Sequence, residues 1–277
     1  MEFTENQIQR YARHILLPEV GGVGQARLLG SSVLVVGAGG LGSPVLMYLA
    51  AAGIGRIGVI DPDVVDLSNL QRQVLHTTDR VGAAKVESAR QTITAINPEI
   101  LLETYETRLG PDNIMDLIGT YDIVADGTDN FETRFLINDA CYLGRTPLVS
   151  AAILRFDGQL STYRAYDVDS DGNHGPCYRC IFREPPRPGQ IPSCAEAGVL
   201  GALCGVMGSL QATEIVKELL GIGDSLSGTL LLYEGLASEF RRIGIKADPG
   251  CPLCGTEPTI TDLTGHQNVR GIACDAG

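Results

Sequence analysis

Arg72, Lys85 and Asp129, two cations and a carboxylate, follow a glycine turn, Gly37-Ala38-Gly39-Gly40-Leu41-Gly42. That combination suits phosphate chemistry better than hydride transfer. The turn lets backbone amides approach a phosphate at a helix N-terminus, although alone it signals only a nucleotide or dinucleotide. Asp61, in Asp61-Pro62-Asp63, is placed to accept from a ribose hydroxyl, a role common to ATP and dinucleotide sites. The cassette Leu67-Ser68-Asn69-Leu70-Gln71-Arg72-Gln73 adds amides and a guanidinium. Lys85 falls near the start of a helix, where a cation opposes the dipole and a bound polyphosphate would remove the conflict. Asp129, in Asp126-Gly127-Thr128-Asp129-Asn130, suits Mg²⁺ bridging phosphate oxygens. Asp126 is assigned instead to capping the next helix.

Four of the eight cysteines form two Cys-x-x-Cys pairs, Cys177 with Cys180 and Cys251 with Cys254. Four soft thiolates from remote segments make the tetrahedral Cys₄ set of a structural zinc. Cys194 differs, because it precedes a long helix whose N-terminus would lower a thiol pKa. A nucleophile and an ordinary surface thiol are equally compatible with that local sequence. Asp167-Val168-Asp169-Ser170-Asp171-Gly172 opens like a calcium loop, but Tyr178 stands where a closing Glu is needed, so it is a solvated acidic turn.

The elements that must position these groups alternate. Strands are expected at 33–36, 57–60, 100–105 and 123–125, with helices at 41–52, 83–96 and 112–118 between them. This alternation predicts a Rossmann-like α/β fold, a mostly parallel sheet with helices on both faces. A helix at 4–16, ended by Pro18 and Gly21-Gly22, precedes it. After a helix at 131–142 come strands at 148–153 and 160–166, the second antiparallel. A mobile loop at 183–195, rich in proline, leads to a helix at 199–220, and strands at 230–233 and 240–243 complete an antiparallel elaboration. Glycines 198, 201, 205 and 208 line one side of that long helix and fit close core packing. One continuous domain is expected: an N-terminal helical arm (1–30), a nucleotide-binding core (31–166) and a zinc-stapled C-terminal part (167–277).

The chain has 277 residues, 44% of them hydrophobic and 19% charged, enough for a sizeable core. With 21 Lys plus Arg against 33 Asp plus Glu, the net charge of −12 argues against a broad nucleic-acid or anionic-membrane surface. The start, Met1-Glu2-Phe3-Thr4-Glu5, has neither a basic nor an apolar leader region, and no apolar run approaches the roughly 20 residues a bilayer needs. A cytoplasmic enzyme is expected.

Taken together these residues resemble the MoeB/ThiF family, the bacterial relatives of ubiquitin-activating enzymes. The likeness runs from Tyr11-Ala12-Arg13-His14-Ile15-Leu16 to Cys254. It implies an adenylyltransferase that uses ATP and Mg²⁺ to activate the C-terminal Gly-Gly carboxylate of a small ubiquitin-like sulfur carrier as acyl-AMP. On this resemblance Gly40, Asp61, Ser68, Asn69, Leu70, Gln71, Arg72, Lys85, Asp129 and Asn130 line the ATP site, with Asp129 on Mg²⁺. Arg13 would enter from the partner subunit of a homodimer. In some relatives a cysteine matching Cys194 takes the acyl group or a sulfur. Too few residues follow Cys254 for the rhodanese domain some relatives carry, so a separate sulfurtransferase is expected. The alternatives are an NAD-dependent oxidoreductase, or a superfamily relative that activates a tRNA base or a peptide carboxylate.

Overall fold

The computed structural model describes residues 2–168, 172–187 and 197–269. Cys194, most of the loop expected at 183–195 and the centre of the acidic turn lie outside them.

Helix α1 (Glu5–Ile15) opens on a capping box in which Thr4 and Gln7 satisfy each other's backbone amides. Helix α2 (Gly21–Gly30) starts where the sequence predicts a stop. Glycines at 21, 22, 24 and 30 depress its intrinsic helicity; packing overrides that, with Leu28 and Gln25 fully buried and Gln25 Nε2 donating to Ala52 O.

The nucleotide-type core then alternates as expected: β1 (Ser32–Val36), α3 (Gly42–Ala52), β2 (Arg56–Ile60), α4 (Lys85–Ile96), β3 (Leu101–Tyr105), α5 (Ile114–Ile118), β4 (Ile123–Asp126), α6 (Phe131–Leu143) and β5 (Leu148–Leu154). Strand β6 (Asp157–Tyr163) pairs antiparallel with β5, three residues earlier than the sequence places it. Arg155 takes a left-handed conformation (φ 56°) in the tight turn between them, which polar and aromatic residues at 155–156 do not announce. A short α7 (Tyr178–Ile181), the long α8 (Gly201–Leu220) and the hairpin β7 (Thr229–Glu234) and β8 (Glu239–Gly244) complete the order.

The eight strands among the described residues form one sheet in the order β3-β2-β1-β4-β5-β6-β7-β8. The first five are parallel and the rest antiparallel. Strand β1 is buried along its whole length, the condition of a parallel strand covered on both faces. One apolar layer joins α3, α4 and α8 to the sheet, and a second joins α5 and α6 to its other face. Of the glycine stripe, Gly208 lets α8 meet Pro44 and Leu41 O, and Gly201 sits against Gln71 O; Gly205 faces open space.

Strand order reverses between β1 and β4, and the register there aligns the strand ends. Val36 pairs with both Ile60 and Asp126, so β1, β2 and β4 end level. The loops beginning at Gly37, Asp61 and Gly127 therefore emerge side by side at the carboxyl edge, the ligand position of an open α/β sheet.

Candidate active site

The glycine turn is tight because three chain segments crowd it. Gly37 adopts φ +93°, and a Cβ on it would stand 3.2 Å from Gly127 O. A Cβ on Gly42 would overlap Gly37 O, and one on Gly40 would lie 2.9 Å from Cys204 Sγ of α8. Among the described residues the amides of Gly39, Gly40 and Leu41 meet no hydrogen-bond acceptor. Three such donors at the start of α3 could together receive an anion.

Asp61 is almost fully buried. Its Oδ2 accepts from Ala38 N–H at 2.8 Å and its Oδ1 from Asp63 N–H at 2.9 Å. Burial raises its pKa against the opposing pull of Lys85 and the two amides. Lys85 is the first residue of α4, also buried; its Nζ lies 2.8 Å from Asp63 Oδ2 and 4.0 Å from Asp61 Oδ1. It therefore does not reach out to solvent. The cation that opposes the α4 dipole is compensated by carboxylates and faces the loop edge.

The cassette forms a 3₁₀ turn, Leu67–Asn69, capped by Asp66, whose Oδ1 accepts from Ser68 N–H and Oγ–H. Asn69 O accepts from the amides of Arg72 and Gln73. Arg72 Nη1 donates to Ser68 O at 3.1 Å, and its stem would be 3.5 Å from a Cβ on Gly40. Leu70 and Gln71 carry the turn onward, and the Gln71 carbonyl seats Gly201. Asp129 is exposed at the end of the β4 loop, with no hydrogen bond or ion pair to another described residue. Asn130 caps α6, its Oδ1 accepting from Thr133 N–H at 2.8 Å.

The capping role assigned to Asp126 is thereby corrected. Asp126 is fully buried, paired with Arg134 at 3.2 Å and accepting from Ser150 Oγ and from Thr128 N–H and Oγ–H. As the last residue of β4 it faces inward, and a side chain four residues before the cap position cannot serve the helix. Its network, extended by Arg134 Nη2 to Thr128 O, fixes the loop that carries Asp129.

Three further groups lie outside the site residues expected from the sequence. Gln73 is 4% exposed beside Gly39, and its Oε1 has no partner. A buried acceptor left open at a ligand edge fits a polar ligand that donates to it. His76 and Ser88 buttress the turn from behind. Gln73 closes the polar cassette that the sequence already singles out, whereas His76 and Ser88 carry no comparable mark.

Arg13 is not brought to this edge. Tyr11 packs on Gly53 at the far end of α3 and accepts from Asn97 Nδ2, while Arg10 donates to Ile96 O at the far end of α4. Eleven residues of α3 separate those ends by about 16 Å. Arg13 is exposed there, as are Leu16, Leu17 and Val23.

The four cysteines of the two pairs converge. Their Sγ atoms lie within 4.8 Å of one another, with separations of 3.4 Å (Cys177–Cys254 and Cys180–Cys254), 3.6 Å (Cys177–Cys251) and 4.0 Å (Cys177–Cys180), and none is in a disulfide. A tetrahedral zinc–thiolate site with bonds of about 2.3 Å has sulfur–sulfur edges of about 3.8 Å, so the set can hold such a metal. Asp248 N–H donates to Cys180 Sγ, a supporting bond around the ligands. Arg179, inside the first pair, makes two 2.7 Å bonds to buried Asp139 of α6, tying the knuckle to the core.

The model of the ThiF family matches residues 11–253. The chain belongs to the ThiF family. Within it, the chain is 49% identical over 272 residues to the sulfur carrier protein adenylyltransferase of Thermus thermophilus, covering 98% of this chain and all of that one. It is 47% identical to the probable adenylyltransferase/sulfurtransferase MoeZ of Mycobacterium tuberculosis, over 98% of this chain and 67% of that protein. To the adenylyltransferase and sulfurtransferase MOCS3 of Mus musculus it is 48% identical, over 97% and 57%. Among solved structures, Escherichia coli MccB with ATP shares the fold at a TM-score of 0.75 and 21% identity, over 91% of this chain and 75% of that one.

Proposed function

We propose that this ThiF-family chain is an ATP- and Mg²⁺-dependent adenylyltransferase that activates the C-terminal Gly-Gly carboxylate of a small ubiquitin-like sulfur carrier. The observation that carries it is the level ending of β1, β2 and β4, which sets the unbonded amides of the turn beside Asp61, Lys85 and the Asp129 loop. The relatives' names supply the substrate class.

In this reading the amides of Gly39 and Gly40 meet phosphate oxygens, and Asp61 accepts from the ribose. Asn69, Arg72 and Lys85 gather the phosphates, flanked by Ser68, Leu70, Gln71 and Asn130. Asp129 holds Mg²⁺, which neutralises charge on the phosphate oxygens. A carrier carboxylate oxygen attacks the α-phosphorus, the bond to the bridging oxygen breaks, and pyrophosphate leaves. A carboxylate is a poor acylating agent; its mixed anhydride with AMP has a good leaving group. Arg72 and Lys85 stabilise the charge that builds on phosphate during attack.

Arg13 lies too far from its own turn, so it serves a second subunit in a homodimer, with Leu16, Leu17 and Val23 as apolar surface for that contact. Zinc in the Cys177, Cys180, Cys251 and Cys254 set staples the C-terminal part. Cys194, the candidate acceptor of the activated acyl group or of sulfur from a separate sulfurtransferase, rests on its sequence position alone. No helix among the described residues is long and apolar enough to cross a membrane.

The test is isotope exchange between pyrophosphate and ATP. Exchange that needs Mg²⁺ and a carrier ending in Gly-Gly, and stops when the two glycines are removed, supports the proposal. Failure of every carrier of this type to support exchange refutes it.

A further inference from the structure

The glycines give the turn its shape, but one residue within it is held from outside through both of its backbone groups. Ala38 N–H donates to Asp61 Oδ2 at 2.8 Å, and Ala38 O lies 2.8 Å from Nε2 of His76. The other ring nitrogen, Nδ1, is 2.8 Å from Ser88 Oγ. A carbonyl can only accept, so Nε2 carries the proton, Nδ1 is bare, and the Ser88 hydroxyl donates to it. The ring is buried, in keeping with this neutral form.

This arrangement constrains the turn in two ways. In a trans peptide the C=O and the next N–H point in opposite directions. Holding Ala38 O against His76 therefore turns the Gly39 N–H away from the ring, to the part-exposed side where it has no acceptor. Ser88 lies on α4 three residues after Lys85, one turn along the same face. One imidazole thus bridges the segment that presents amides and the helix that presents the ammonium.

We propose that His76 is a positioning residue for the nucleotide. It sets the direction of the Gly39 amide and the spacing between the glycine turn and Lys85 without touching the substrate. This rests on the adenylyltransferase reading for the choice of ligand.

The experiment begins with the intact wild-type protein, Mg²⁺ and ATP, followed by calorimetry; absence of binding overturns the nucleotide reading. Separately, nitrogen NMR of ¹⁵N-histidine-labelled wild type reports the His76 tautomer whether or not ATP binds. A protonated Nε2 with a bare Nδ1 is expected, and the reverse overturns the proposal. Kinetics then compare His76→Gln, whose amide N–H replaces Nε2–H, with His76→Leu, which keeps bulk and loses both bonds. A displaced reacting group costs about 10²-fold, so His76→Leu should lose about that much in kcat/KM for ATP while the KM for the carrier holds. His76→Gln should recover most of the loss. If His76→Leu does not fold, Ser88→Ala removes only the Nδ1 partner and should weaken ATP binding with the turn otherwise intact. Unchanged kcat/KM for ATP in His76→Leu, or in Ser88→Ala where it stands in, overturns the proposal. So does equal damage in the Gln and Leu variants that tracks their loss of thermal stability.

Discussion

Lys85→Met keeps the stem of the side chain and removes its charge. Structure gives two reasons why this cannot be silent. At 4.0 Å from Asp61, in an effective dielectric of about 20, two unit charges attract by about 4 kcal/mol before desolvation is counted. In the proposed reaction the same ammonium meets the charge that grows on phosphate, and loss of one such donor costs about 10²–10³ in kcat. A second effect comes through Asp61. Burial lifts its pKa, and Lys85 is the strongest force holding it down. Without Lys85 the carboxyl rises further, so the acid limb of the pH profile should move to higher pH as Asp61 loses its ability to accept from the ribose. Carrier-dependent pyrophosphate exchange, measured across the acid and neutral range, reads both effects. A Lys85→Met enzyme within about tenfold of wild type, with an unmoved acid limb, refutes the placing of Lys85 on the phosphates.

Other outcomes can be checked directly. Arg13→Ala and Lys85→Met should each be inactive, yet random mixing of the two should restore about a quarter of the sites, since half the dimers are mixed and each has one intact site; no recovery after confirmed subunit exchange counts against insertion in trans. Cys251→Ser should abolish stoichiometric zinc by elemental analysis and lower the unfolding temperature, because three thiolates are left without the fourth corner of a tetrahedron. His76 is held below its ordinary pKa by burial, opposed by the Ala38 bond and Asp61 and reinforced by Lys85 and Arg80. Its folded value is thus below the unfolded one, so its stabilising contribution is full above about pH 6.5 and is lost as pH falls through the folded value. Denaturation midpoints of His76→Gln should accordingly vary less with acidification than those of wild type.

The alternation of strands and helices is legible because parallel strands such as 33–36 and 57–60 are short runs without polar side chains that stop at Gly37 and Asp61. Helix α2 was hidden because its glycines speak against a helix that only Leu28 and Gln25 packing makes stable. The hairpin from β5 to β6 was misplaced because a left-handed Arg155 leaves no compositional mark. In the candidate site, residue types announced the phosphate chemistry, and spacing announced the cysteine cluster. The support beneath was not legible. Asp126 and Asp129 look alike in sequence, and only the sheet register turns one inward to Arg134 and leaves the other exposed. His76 belongs to no motif, and its partner Ala38 is 38 residues away.

The register of β4 against β1 also gives the molecule an internal checkpoint. The glycine turn and the Asp129 loop lie about 90 residues apart in sequence and meet only when Val36 comes opposite Asp126. A slip by one residue would carry the second loop about 3.3 Å along the sheet and reverse which side chains face the core. There is no half-aligned compromise between those arrangements. Nucleotide affinity in such a protein is therefore an all-or-none gauge of whether these two strands have paired in register.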